Sequence, residues 1–348
     1  MSPRSLRPVA VAALLGVALS ACTGSSSPTT AATVGGSVIT RDQLATATHV
    51  FESIAGVQQQ ACGSVDGPND TQAAACARFS LGWLIKYRLA ETYAADPSHP
   101  VTVPSALVTN SVQSFVSSFG TKQVDESLTA NGVTSADLNH VVGLDMLQRA
   151  VARAMALASV GGAGLRSLYE QNIGQYTIVQ LDHIVVKSKQ QAEQLYRRVT
   201  APGATRDDFL ALAKRYSIDP SAKQNSGSLG SAYISALSDP ALIRVALQLQ
   251  NGQISPPVKT QGGWEVVRMQ DKQVTPFSQV RKQLLQRQGD TAFEAYLKRQ
   301  VASGAIEVSP AYGRYDARLL GVVRIGSTDP SATPSVQTPV NATPTPTP

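Results

Sequence analysis

Between Ile178 and Lys272 the sequence changes its period, and that change constrains the fold more than any other feature. On both sides apolar residues recur every three to four positions, as on helices; inside, β-branched runs alternate with helical ones and with Gly/Ser-rich turns. The β-rich runs are "HIVV" from His183 and "WEVVRM" from Trp264, and helices are expected over 190–198 and 207–216. A unit of about 95 residues is a comfortable single domain. Upstream, a strand-like piece near Thr33 and a Gly-Gly turn lead into a helix with Thr40 at its N-cap and Leu44, Phe51 and Ile54 on one face. A second helix, carrying Leu81, Leu84, Ile85 and Leu89, follows the Gly/Pro/Asn-rich break at 63–70. Three more are expected over 104–119, 122–130 and 135–158, the last with a stripe of Leu144, Leu147, Val151 and Met155, before "SVGGAGL" interrupts. Downstream, 276–301 is a long amphipathic helix with Phe277, Val280, Leu284, Phe293 and Leu297. A lone helix cannot bury that face, so it should fold back onto the N-terminal helices.

The first residues set the compartment. Arg4 and Arg7, an apolar run from Val9 to Leu19 and small residues before Cys22 have the layout of a signal peptide. The run is shorter than the roughly 20 residues that cross a bilayer. "LSAC", ending at Cys22, resembles the bacterial lipobox, which implies lipid on the Cys22 thiol and anchorage at the extracytoplasmic face of the cell membrane. The small polar residues that follow cannot bury enough surface to fold and are expected to be a tether.

Export makes a disulfide between Cys62 and Cys76 the expected state. Zinc is disfavoured because no CxxC, HxxxH or HExxH spacing accompanies them, and no metal or cofactor is expected. The formal charge of +6 would ordinarily raise nucleic acid as a partner, but an exported chain rarely meets it, and 5% aromatic residues offer no stacking platform. His49, His99 and His140 are dispersed and carry no ligand spacing.

Four segments in order, "HIVVK" at His183, "FLALAKRYSIDPSA" from Phe209, "SGSLG" from Ser226 and "LQNGQISPPVKTQGGWEVVRM" from Leu249, resemble a parvulin-type peptidyl-prolyl isomerase domain. The flanks "ATVGGSVITRDQL" and "IEVSPAYGRYD" are similar to the ends of SurA-like and PrsA-like exported foldases. The resemblance implies an α+β architecture: a discontinuous all-helical chaperone domain, made of N-terminal helices and a C-terminal helix, with an inserted parvulin domain whose small antiparallel sheet is surrounded by helices. The expected boundaries are a lipoprotein signal peptide over 1–21, a tether over 22–32, a chaperone domain over 33–176, the parvulin domain over 177–273, a returning C-terminal segment over 274–323 and a disordered Pro/Thr-rich tail over 324–348.

Carried over one residue at a time, the family's polar floor falls on His183, Asp219 and Thr260, while Glu265 stands where the second family histidine should be. Two carboxylates close together would repel or share a proton, so a rearranged network is expected. The proline pocket falls on Leu229, Leu237 and Leu242, and Ser226 and Ser228 replace the first Gly and the Asp of the family's usual Gly-Gly-Asp-Leu-Gly turn. What the resemblance implies is a lipid-anchored foldase that binds unfolded or nascent exported polypeptides and catalyses cis-trans exchange of X-Pro bonds. The alternatives are a holding chaperone with a degenerate parvulin domain, or an envelope adaptor lipoprotein.

Overall fold

The computed structural model describes residues 29–327. The expected signal peptide, Cys22 and all of the Pro/Thr-rich tail beyond residue 327 lie outside the described residues. In chain order the strands are β1 Thr30–Val34, β2 Ser37–Thr40, β3 Thr177–Val186, β4 Ser228–Tyr233, β5 Val258–Lys259, β6 Trp264–Val274, β7 Ile306–Val308, β8 Arg314–Asp316 and β9 Gly321–Val323. The helices are α1 Arg41–Val57, α2 Gln72–Ala94, α3 Ser105–Phe119, α4 Thr121–Ala130, α5 Ser135–Gln171, α6 Lys189–Val199, α7 Arg206–Tyr216, α8 Ala222–Asn225, α9 Pro240–Gln248 and α10 Phe277–Ala302. Among the described residues no helix is long and apolar enough to cross a membrane.

The chain divides into two compact units. Of the described residues, the first takes 29–85, 122–137 and 304–327. Thr40 caps α1 as expected: its hydroxyl accepts the Gln43 amide at 3.1 Å and its own amide reaches the Gln43 side chain at 3.0 Å. Before it, β1 pairs antiparallel with β2 and with β7, which brings strands from both ends of the described chain into one three-stranded sheet. Residues 30–32, expected to belong to a tether, are instead part of β1. Ala31 and Ala32 are buried in β1, where small side chains permit close packing and the strand ladder satisfies their backbone. Phe51 of α1 meets Phe79 of α2 edge to face at 5.2 Å, and Ser53 and Ser127 exchange hydrogen bonds with each other's carbonyls.

Cys62 and Cys76 are joined, closing a loop across 14 positions between α1 and α2. Cross-linking a loop of that size removes unfolded-state entropy worth about 3 kcal/mol in the chain-entropy treatment. The Cys62→Ser/Cys76→Ser chain is expected to lose about that much unfolding free energy and so to unfold at a lower urea midpoint, and dithiothreitol should lower the midpoint of the parent but not of the variant.

The second unit takes residues 86–121 and 138–303. Here α10 returns onto α2 and α5 as its apolar stripe requires, with Phe293 packed among Ala90, Val151, Ala152 and Met155. Gly289 makes the approach possible, since a β-carbon there would lie 3.0 Å from the Ala152 backbone. The buried face of α5 departs from the expected stripe. It runs through Leu138, Val141, Val142, Asp145, Gln148, Val151, Ala152 and Met155, so Leu144 and Leu147 sit at its margin. Asp145 belongs inside because it is paired: Arg149 donates to it at 2.8 Å and the Tyr87 hydroxyl approaches at 3.4 Å. The "SVGGAGL" interruption is a kink at Gly161, the one non-helical position within α5.

Within this unit, β4-β3-β6-β5 form a four-stranded antiparallel sheet. Alternation along β3 and β6 sends Ile184, Val186 and Val266 to one face, against Leu195 of α6 and Phe209 of α7. It sends Val179, Leu181, Val267 and Met269 to the other, against Leu242 and Ala246 of α9. Asp182, only 1% exposed, is neutralised by a two-pronged contact from Arg206 at 2.9 and 3.0 Å, with Arg268 at 3.6 Å.

Candidate active site

His183 lies on β3 opposite Val267 of β6, and its neighbour Val185 lies opposite Glu265. Glu265 is thus two positions along from the residue facing His183, on the same side of the sheet, a diagonal that long side chains span. The imidazole Nδ1 is 3.1 Å from Glu265 Oε2. Its Nε2 is 2.8 Å from Asp219 Oδ2.

Asp219 reaches that point because the segment after α7 docks where β4 leaves off. The Val185 amide donates to Ser217 Oγ at 3.1 Å, the Ile218 amide to the Val185 carbonyl at 2.8 Å, and the His183 amide to the Gly227 carbonyl at 2.8 Å. Ser221 holds the carboxylate from the other side, through its amide at 3.0 Å and its hydroxyl at 2.7 Å. Thr260 enters from the turn between β5 and β6, its hydroxyl donating to Glu265 Oε1 at 2.5 Å. That turn needs Gly263, where a β-carbon would come within 2.6 Å of the Val186 carbonyl.

The four groups brought together here are the four expected of the polar floor. The anticipated clash between two carboxylates does not arise, because the imidazole ring stands between them and gives each its own partner. A ring with a carboxylate on both nitrogens satisfies each of them by donating from both, which favours the doubly protonated form. Burial, the largest influence on His183, pushes its pKa down, but the hydrogen bonds and charges of Glu265 and then Asp219 carry it above the ordinary value. Asp219 is pushed up by burial and pulled down further by Ser221 and His183, ending below the usual carboxylate range. His183, Thr260 and Glu265 are buried, whereas 21% of the Asp219 side chain is exposed, so the chain of contacts opens to solvent at that end.

The arrangement has no nucleophile with an adjacent free base. Thr260 donates its hydroxyl hydrogen to Glu265, and both imidazole nitrogens are engaged by carboxylates. It is a fixed, charged floor suited to chemistry in which no covalent bond changes partners. Among the described residues no group of three or more His, Cys, Asp or Glu side chains is placed to hold a metal ion.

The three leucines are arranged less uniformly. Leu237 and Leu242 join the apolar cluster on His183's side of the sheet, Leu242 as a buried member, whereas Leu229 is exposed on the edge strand β4. Ser226, where the family has glycine, adopts a left-handed conformation at φ +55°. Ser217, Ser221 and α9 escaped the sequence reading. The "Asp-Pro" at 239–240 is a helix-start signal, with Asp239 accepting the Ala241 amide at 2.7 Å, and "Asp-Pro-Ser" at 219–221 is a side-chain turn.

Comparison with known proteins agrees with this geometry. The family described as rotamase, PPIC-type PPIase domain, matches residues 182–271. The foldase protein PrsA of Caldanaerobacter subterraneus is 34% identical over 117 residues, covering 34% of this chain and 37% of that protein. PrsA of Clostridium botulinum is 27% identical over 191 residues, covering 51% of this chain and 55% of its own length, so the chain spans about half the length, or less, of these relatives. PrsA of Clostridium tetani is 26% identical over 274 residues, covering 73% and 79%. Among solved structures, a PrsA peptidylprolyl isomerase from Bacillus cereus aligns over 80% of this chain and 92% of its own at 18% identity, with a TM-score of 0.35. Residues 182–271, within the second unit, thus match the PPIC-type PPIase domain family, and the chain is similar to foldase proteins named PrsA.

Proposed function

We propose that the chain is an extracytoplasmic foldase, held to the membrane by lipid on Cys22, which binds unfolded exported polypeptides and accelerates X-Pro exchange at the His183 site. The observation that carries this reading is the His183 imidazole ring fixed between Asp219 and Glu265, with Thr260 behind it. The relatives' name, foldase, and the PPIase description of the matching family support it.

The reaction needs no group transfer. Rotation about the C–N bond has a barrier of about 20 kcal/mol because the planar amide shares the nitrogen lone pair with its carbonyl, leaving oxygen partly negative. In the twisted transition state that sharing is lost. A floor bearing two carboxylates against one imidazolium, with both ring N–H groups and the Thr260 hydroxyl already engaged, disfavours the charge-separated planar form more than the twisted one. Asp219, the solvent-facing member, is the group that a bound X-Pro segment would meet first.

The test is cis-to-trans exchange of short X-Pro peptides, followed by NMR exchange spectroscopy on the chain carrying Cys22→Ser. Acceleration is expected, and His183→Ala should reduce it at least about tenfold, a loss of about 1.4 kcal/mol of transition-state stabilisation. A second reading is favoured by Glu265 in the family's second histidine position and by the burial of Leu242. It is a holding chaperone whose parvulin domain binds peptide without catalysis. Suppressed aggregation of unfolded clients with no exchange at any X residue would select it.

A further inference from the structure

A closed circuit of hydrogen bonds joins the backbone of His183 to its own imidazole through the segment after α7. The His183 amide donates to the Gly227 carbonyl at 2.8 Å, and the Gly227 amide donates to Asn225 Oδ1 at 2.8 Å. Asn225 Nδ2 donates to Ser221 Oγ at 3.2 Å, and Ser221 Oγ donates to Asp219 Oδ2 at 2.7 Å. That same carboxylate oxygen meets His183 Nε2 at 2.8 Å, so the circuit begins and ends on one residue.

Each direction of donation is fixed by chemistry. A backbone amide can only donate, so Gly227 settles which end of the Asn225 side chain is oxygen and leaves its NH2 facing Ser221. The NH2 accepts nothing; the single Ser221 hydroxyl hydrogen therefore goes to Asp219, and the bond from Asn225 polarises the hydroxyl in that direction. The backbone supplies the geometry. After the single turn of α8, Ser226 at φ +55° and Gly227 at φ +80° bring the chain back so that Gly227 meets both Asn225 and β3. Asn225 itself is exposed, and no core packing requires it.

We infer that Asn225 is a positioning residue for the His183 site: acting through Ser221, it holds the Asp219 carboxylate against the imidazole and ties that contact to the strand carrying the ring. The inference rests on the isomerase reading of the site. Asn225 reaches His183 by two routes, the Gly227 turn and the Ser221 hydroxyl, and one substitution separates them. Asn225→Ser keeps a side-chain oxygen for the Gly227 amide, as serine turns do, but is too short to reach Ser221.

Exchange of Ala-Pro peptides, followed on the chain carrying Cys22→Ser, is the first test. Asn225→Ser is expected to lower kcat about fivefold at unchanged KM, the pattern of an interaction that matters only in the transition state. Ser221→Ala should lower it about tenfold, and the double variant no further than Ser221→Ala alone, because the route is already broken. Losses that multiply would place the effect of Asn225 in the turn, and a raised KM would make it a peptide contact. Either result overturns the inference.

The second test needs no catalysis. The charged group bonded to Asp219 is His183 of β3, with Glu265 of β6 on the far side of the ring, while Lys223 of α8 is turned to the Lys214 carbonyl at 2.7 Å. A carboxylate that loses donor strength from Ser221 is protonated more readily. The Asp219 ¹³Cγ titration midpoint should therefore rise in Asn225→Ser, and the double variant should match Ser221→Ala. An unmoved midpoint overturns the inference. If no chain accelerates any proline peptide, the isomerase reading fails by itself, and the Asp219 titration alone decides whether Asn225 positions the site.

Discussion

Replacing Gly227 by alanine is expected to destabilise the parvulin domain by at least about 4 kcal/mol, among the largest effects of any single methyl group. The residue sits at φ +80°, where an L side chain is strained. More seriously, a β-carbon there would lie 2.4 Å from the His183 carbonyl and 2.7 Å from Ala213 Cβ. Neither neighbour can yield: the carbonyl belongs to a central strand, and Ala213 is fully buried in α7. The Gly227 carbonyl also accepts the His183 amide, so displacing this turn moves the strand that carries the imidazole. Gly230→Ala is the control. It has a similar φ of +68° but nothing within 4 Å, and should cost only about 1 kcal/mol. Urea midpoints of the two variants, with the His183 ring resonances as a site probe, separate backbone strain from collision. Similar losses for both would mean that the turn does not press on β3 as described.

How far the sequence could anticipate this depends on the range of the interactions. Period and capping are local, and they located α1 with its Thr40 cap, α7 and α10, the β3 and β6 strands, and the break at Gly161. Resemblance brought the four polar-floor residues onto one list, but not their contacts. Whether His183 meets Val267 or Glu265 depends on the register of β3 against β6, which a bulge between Gln180 and Leu181 shifts, and no short motif encodes that. For the same reason the sequence suggested repulsion between Asp219 and Glu265 where the fold inserts a ring. Likewise α5 buries Asp145, which any apolar-stripe argument places outside, because its partners Arg149 and Tyr87 come from one turn away and from a different helix. The edge strand β4, with its Ser/Leu/Gly/Ser/Ala/Tyr text, has no alternation to detect.

Glu265→Ala is expected to cost about 4 kcal/mol near pH 6, because it breaks a buried ion pair by deleting one partner. His183 Nδ1 would then face a cavity, and the Thr260 hydroxyl would keep only the Gly263 carbonyl at 3.3 Å. Glu265→Gln keeps an acceptor for both neighbours and should cost less, about 1–2 kcal/mol. The pH dependence identifies the cause. His183 is held above its ordinary pKa of about 6.5, so the folded chain binds that proton more tightly than the unfolded one. The resulting stability is fully present below about pH 6.5 and is lost as pH rises through the raised folded value. Asp219, held below the usual range, contributes above about pH 4, and its share is lost as pH falls through its folded value. The parent should therefore be most stable between those limits and weaken on the alkaline side. In Glu265→Ala only Asp219 remains to oppose burial, and the His183 pKa falls. The alkaline loss should then shrink and be complete at lower pH, so that the two chains differ most near pH 5–6 and the difference narrows as pH rises through the parent's raised folded value. Urea unfolding of both across that range tests it. A difference independent of pH would mean that Glu265 serves by filling space, and that the imidazole is not charged in the folded domain.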